Sequence, residues 1–140
     1  MRRVFAHRHF CLVFHAVACL SLARGVALAD QYVWQGGSGD FTNGANWIDT
    51  SQPNLNPPPP PGAADFAEYP SGTINFSGNT TAFATVDGGV TFSLGGNYTA
   101  TSGAILNGPL TLTGSGTFSA NYLNEVGGPL TINAASIHID

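Results

Sequence analysis

Gly88-Gly89-Val90-Thr91-Phe92-Ser93 returns as Gly108-Pro109-Leu110-Thr111-Leu112-Thr113, and again as Gly128-Pro129-Leu130-Thr131-Ile132-Asn133, at a period of 20 residues. Each copy is a glycine turn followed by apolar residues alternating with small polar ones, the pattern of a strand with one face buried and one wet. A single unit of this kind cannot bury its apolar face, whereas stacked units can. The period therefore predicts an all-β chain built as a right-handed parallel β-helix, with rungs about 4.8 Å apart. A β-sandwich is the structural alternative. Helix-capping signals and helical periodicity are missing from residues 30–140, which removes leucine-rich and ankyrin-type repeats.

Further strands per repeat are expected around Asn97-Tyr98-Thr99 and Thr117-Phe118-Ser119, with two or three short strands to a turn. Thr73–Phe76 and Ala82–Val86 lead into the repeats. Pro109 and Pro129 fall at strand starts, where a missing donor is tolerated. In the third copy Ile137 and Ile139 flank His138, one place out of step with the second, so a one-residue deletion is expected there.

The first segment is a different kind of sequence. Arg2, Arg3 and Arg8 precede an apolar run from Phe10 to Ala23, and Ala27-Leu28-Ala29 supplies a small-x-small cleavage site. This is the pattern of a secretory signal peptide cut after Ala29. The run is short and interrupted for a membrane span. Cleavage removes every basic residue (Arg24 is the last) and both cysteines, Cys11 and Cys19. The remainder keeps all eight carboxylates and no Lys or Arg, a formal charge of −8 with His138 neutral. Nucleic-acid binding, which depends on Lys and Arg neutralising phosphate, is excluded on that ground. Walker-type phosphate loops and anionic lipid surfaces are excluded too. Disulfides, thiolate metal sites and a cysteine nucleophile are also ruled out, and the profile is that of a bacterial exported protein.

Between leader and repeats, residues 30–49 read as a turn-rich aromatic element in which Trp34, Phe41 and Trp47 pack together to plug one end of the solenoid. The alternative use of these rings, with Tyr98, is a platform for stacking sugars. Gly36 to Asp40 approaches the calcium-binding Gly-Gly-x-Gly-x-Asp repeat, but its Asp comes one residue early and has no tandem copy, so no metal is expected. Residues 50–62 contain five consecutive prolines, Pro57 to Pro61, and predict a stiff polyproline surface loop. Asp65 and Glu68 are the only closely spaced acids, and an Asp closing a turn is the blander role for the first of them. His138, with no second ligand near it in sequence, reads as a strand residue.

Trp34-Gln35-Gly36-Gly37-Ser38-Gly39-Asp40-Phe41, then Ala45-Asn46-Trp47, then Pro61-Gly62-Ala63-Ala64-Asp65-Phe66-Ala67 resembles the start of large bacterial surface proteins with autotransporter-associated β-strand repeats. The segment from Gly108 to Phe118 is similar to the repeat of that family. The proline insertion between the second and third motifs departs from the pattern, and no barrel translocator follows within the 140 residues. The resemblance implies an exported or surface-exposed passenger segment with a structural or adhesive role, and brings no catalytic residues with it.

The resulting plan is a signal peptide over 1–29, an aromatic cap over 30–49, a proline-rich loop over 50–62 and the start of a β-helix over 63–140. Its repeats run over 88–107, 108–127 and, in part, 128–140. No catalytic residue, cofactor or metal is expected. The expected function is a non-enzymatic adhesin-like or structural module outside the cell, with carbohydrate binding or carbohydrate activity as the alternative. The expected partners are glycans or further copies of the chain, and the chain is not expected to insert in a membrane. An open final edge with only Asp140 to discourage pairing predicts association through that edge or poor folding of 30–140 alone.

Overall fold

The structure, a computed structural model, describes residues 29–140. The signal peptide assigned to 1–29 lies outside the described residues except for Ala29 at its cleavage site.

Apolar residues at every second position make strands, and the glycine turns between them bend the chain into a coil. The first rung contains β1 (Gln31–Trp34) and β2 (Ser38–Asp40), followed by a 3-10 turn at Gly44–Asn46 and by β3 (Trp47–Asp49). Then come β4 (Phe66–Tyr69), β5 (Gly72–Phe76) and β6 (Thr80–Thr81), and β7 (Phe83–Val86), β8 (Val90–Leu94) and β9 (Tyr98–Ala100). The last two sets are β10 (Ala104–Leu106), β11 (Leu110–Gly114) and β12 (Thr117–Ala120), and β13 (Leu123–Glu125), β14 (Leu130–Asn133) and β15 (Ser136–Ile139). Equivalent strands stack in parallel as three sheets, in the orders β13-β10-β7-β4-β1-β3, β14-β11-β8-β5-β2 and β15-β12-β9-β6. The chain is a β-solenoid of about four turns with three strands to a turn, not a sandwich.

The repeat is the register. Val90, Leu110 and Leu130 stack in one column, and Ile74, Phe92, Leu112 and Ile132 in the next. The deletion expected in the third copy is present: Phe118 pairs with Tyr98 twenty residues back, but Ile137 pairs with Phe118 nineteen residues on. The loop that absorbs it places Ala134 at φ +67, where the preceding rung has Gly114 at φ +92. A second slip places Leu123 opposite Ala104 and therefore Glu125 opposite Leu106. An exposed carboxylate thus occupies the inward column that Val86 and Leu106 fill below it. Inward-pointing charge is one of the ways a sheet edge resists unwanted pairing.

The Gly88–Gly108–Gly128 column has a tertiary cause. A Cβ on Gly108 would stand 2.8 Å from the Cα, N and O of Gly88, and Gly127 and Gly128 meet backbone of the rung below in the same way. Backbone lies on backbone at this corner, and only hydrogen fits between the rungs.

Residues 30–49 do more than plug an end. β1 and β2 pair in parallel with β4 and β5, so they are already members of the solenoid, and only β3 reverses, antiparallel to β1. β3 carries Trp47 across the end of the core. The indole packs edge-on against Trp34 (5.1 Å), Phe41 (5.2 Å) and Tyr69 (5.5 Å), and its Nε1 donates to the Phe41 carbonyl at 2.8 Å. Asp49 at the end of β3 is buried, and its Oδ1 accepts from the Ser51 and Gln52 amides at 2.8 and 2.9 Å. That contact starts the proline loop, and Pro58 and Pro61 within the loop are buried. The Pro58 carbonyl lies so close over Gly44 that a Cβ there has no room. The loop is therefore packed against the cap at these points, while most of its other residues are exposed.

Candidate functional site

The residues singled out in the sequence are distributed by the fold into structural and surface positions. Trp34, Phe41 and Trp47 are 1%, 2% and 1% exposed, and Tyr98 is fully enclosed. These four rings are enclosed in the core, and Trp47 packs edge-on against Trp34 and Phe41. Their burial has the ordinary cause that large aromatic rings leave water most favourably where an end of the core would otherwise be open.

Asp65 and Glu68 take different places in the fold. Asp65 Oδ2 accepts from the Gly62 amide at 2.8 Å and its Oδ1 from the Asp30 amide at 3.1 Å, so it closes the turn before β4. Glu68 stands in β4 with its side chain on the outer surface. Asp40, in the glycine run that approached a calcium motif, accepts from the Thr42 amide and from its hydroxyl (2.8 Å) through Oδ1, a local turn. Among the described residues no group of three His, Cys, Asp or Glu could hold a metal ion. His138 is exposed on β15, with Nε2 2.8 Å from Asp140 Oδ1.

One feature inside the core has no signal in the sequence. The Tyr69 hydroxyl donates to the Tyr98 hydroxyl at 3.2 Å, which in turn donates to the Ala82 carbonyl at 3.2 Å. Burial pushes both phenols above their ordinary range. Tyr32, beside Asp49, is pushed up to about 12, first by burial and then by the charges of Asp49, Asp65 and Asp30. Two tyrosines 29 residues apart carry no local mark of partnership. The pair locks two rungs together and faces no solvent.

The chemically distinct surface is the outer face of the six-stranded sheet. On the five-stranded sheet the outward residues are Ser38, Thr73, Thr91, Thr111 and Thr131 in one file, with Asp40, Asn75, Ser93, Thr113 and Asn133 in the other. On the four-stranded sheet they are Thr81, Thr99, Ser119 and His138. The six-stranded sheet instead turns outward Ile48, Val33, Glu68, Thr85 and Ile105 in one register row. Beside that row Gln31, Phe66 and Phe83 form a second. Phe66 is 47% exposed and meets Phe83 edge-on at 5.1 Å. Gln31, Phe66, Ala67, Glu68, Thr85 and Asp87 line a shallow groove of about 640 Å³. The period-2 alternation that buries Ala67, Tyr69, Ala84 and Val86 turns Phe66, Glu68, Phe83, Thr85 and Asp87 outward. Asp87 Oδ1 accepts from Asn107 Nδ2 at 2.7 Å. The Glu68 carboxylate is engaged by no donor among the described residues. Sequence reasoning notes Phe66 and Glu68 separately; only the register brings Phe83, Thr85 and Asp87 beside them.

No helix among the described residues is long and apolar enough to cross a membrane. Comparison with protein families, with curated proteins and with solved structures finds no match to this chain.

Proposed function

We propose that residues 30–140 act as a non-catalytic structural segment of an exported protein, the capped beginning of a β-helical passenger or stalk of the autotransporter type. The observation that carries this reading is a capped, periodic stack. At its start β3 crosses the core and Trp47 seals it. From there successive rungs add equivalent parallel strands to the same three sheets, with Val90, Leu110 and Leu130 in one column and Phe92, Leu112 and Ile132 in the next. Such a stack suits a spacer, because each rung contributes its own interface with its neighbours.

The carbohydrate alternative is weakened by the enclosure of Trp34, Trp47 and Tyr98 and by the commitment of Asp65 to backbone amides. A hydrolase of the usual kind needs two positioned acids, and a basic residue is missing after Arg24.

The test inserts a second copy of residues 108–127 directly after Gly127, so that the repeat frame is kept. A stalk module accepts the extra rung, with a higher denaturation midpoint and a larger dependence on denaturant in proportion to the added surface. A loss of stability or of cooperativity on insertion would refute the spacer reading.

A further inference from the structure

We propose that the groove on the outer face of the six-stranded sheet is a docking site for a basic side chain, arginine above all, on a partner protein. The groove joins the exposed ring of Phe66, which packs on the half-buried Phe83 beside it, to two carboxylates: Glu68, one pleat further along β4, and Asp87, just after β7 and one pleat beyond Thr85. Residues two apart on a strand lie about 7 Å apart, within the span of a long cationic side chain. A guanidinium can lie against the ring faces while its N–H groups reach the carboxylates, and its methylenes cover the phenyl rings.

Charge complementarity selects this occupant. The groove belongs to a surface with eight carboxylates and no Lys or Arg after Arg24. The single histidine after the leader is at the far end of the stack, paired with Asp140. No donor among the described residues engages Glu68, so its carboxylate is left to solvent and open to a cation carried by another molecule. The other two faces offer mainly threonine, serine and asparagine to solvent, and the carboxylates near them are engaged, Asp40 by Thr42 and Asp140 by His138. This inference is independent of the stalk reading, which concerns the cap and the stacking of rungs rather than the side of the solenoid.

The experiment follows backbone amide shifts of the purified chain as an acetylated Gly-Arg-Gly-Arg-Gly amide is added, with the citrulline counterpart as a neutral isostere. The expected result is a set of shifts confined to Gln31, Phe66–Glu68 and Thr85–Asp87 with the arginine peptide and absent with citrulline. Phe66→Ala and Glu68→Gln should each weaken binding about threefold, the scale of an exposed cation–π contact or ion pair. Glu125→Gln, which removes the same charge at the end of the stack, should leave binding unchanged. Equal losses in Glu68→Gln and Glu125→Gln would reduce the effect to net charge and overturn the site. Shifts at these amides with a neutral glucan oligosaccharide, and none with the arginine peptide, would overturn it in favour of glycan binding. Each variant's unchanged amide spectrum away from the groove shows that it is folded.

Discussion

Trp47→Ala should remove a large share of the stability of the whole solenoid, although the residue is at its extreme end. A buried indole withdraws about 150–250 Å² from water, which at about 25 cal/mol/Å² amounts to about 4–6 kcal/mol. The methyl retained by alanine and partial collapse of the site bring the expected loss to about 3–5 kcal/mol. Trp47 also donates to the Phe41 carbonyl and packs against Trp34, Phe41 and Tyr69, so little nearby can close the gap without breaking another contact. Domains of this size have about 5–15 kcal/mol in total, so the variant should be marginal. The assay is urea unfolding followed by tyrosine fluorescence and circular dichroism, with Leu112→Ala and Ile132→Ala alongside. Leu112, fully buried in the middle of the stack, should cost about 2–5 kcal/mol. Ile132, in the same column but 43% exposed in the last rung, should cost about 1 kcal/mol or less. A Trp47→Ala cost below about 1 kcal/mol, or no greater than that of Ile132→Ala, would show that β3 does not seal the core.

The loop that absorbs the one-residue deletion makes an opposed pair of predictions. Ala134→Gly should stabilise by about 1 kcal/mol by relieving a left-handed alanine, whereas Gly114→Ala should destabilise by more, since its Cβ would collide with the Leu94 carbonyl as well; thermal midpoints of the two variants decide it. Gly108→Ala should lower the midpoint by forcing apart rungs whose backbones touch, whereas Gly78→Ala, with open space where its Cβ would stand, should be nearly silent. Stability should also fall in alkali. Tyr69 and Tyr98 ionise at higher pH in the folded chain than the value of about 10 expected when unfolded, so their contribution is whole below about pH 10 and is lost as pH rises through the folded values. Tyr69→Phe should flatten that slope in urea midpoints measured from about pH 8 to 11, and an unchanged slope would show that the phenols are not the cause.

The periodic part of the fold is open to reading because it is written locally. Glycine turns, period-2 alternation and the 20-residue return of Val90, Leu110 and Leu130 together specify which residues stack, and the step of one at Ile137 shows in the same pattern. Less periodic elements are harder to read. β13 carries Asn124 and Glu125, with no apolar alternation to mark it as a strand, and only its neighbour β10 makes it one. The cap is legible as an aromatic cluster but not as part of the solenoid, because β1 and β4 pair across 35 residues that include the proline loop.

The sequence by itself determined that the chain coils, which face of each strand of the repeats with apolar alternation turns inward, and that no Lys or Arg follows Arg24 to meet an anion. Those properties follow from the identity of each residue and its spacing from near neighbours. Tertiary structure decided that Trp34, Phe41 and Trp47 are enclosed rather than open to a sugar, and that Asp65 closes a turn instead of partnering Glu68. It also decided that Phe66, Glu68 and Asp87 share one groove, with Phe83 packed beside Phe66. Alternation fixes only inward or outward; which outward residues become neighbours depends on the register between rungs. That register is set by turn lengths that vary from one rung to the next and by the fit of the whole core.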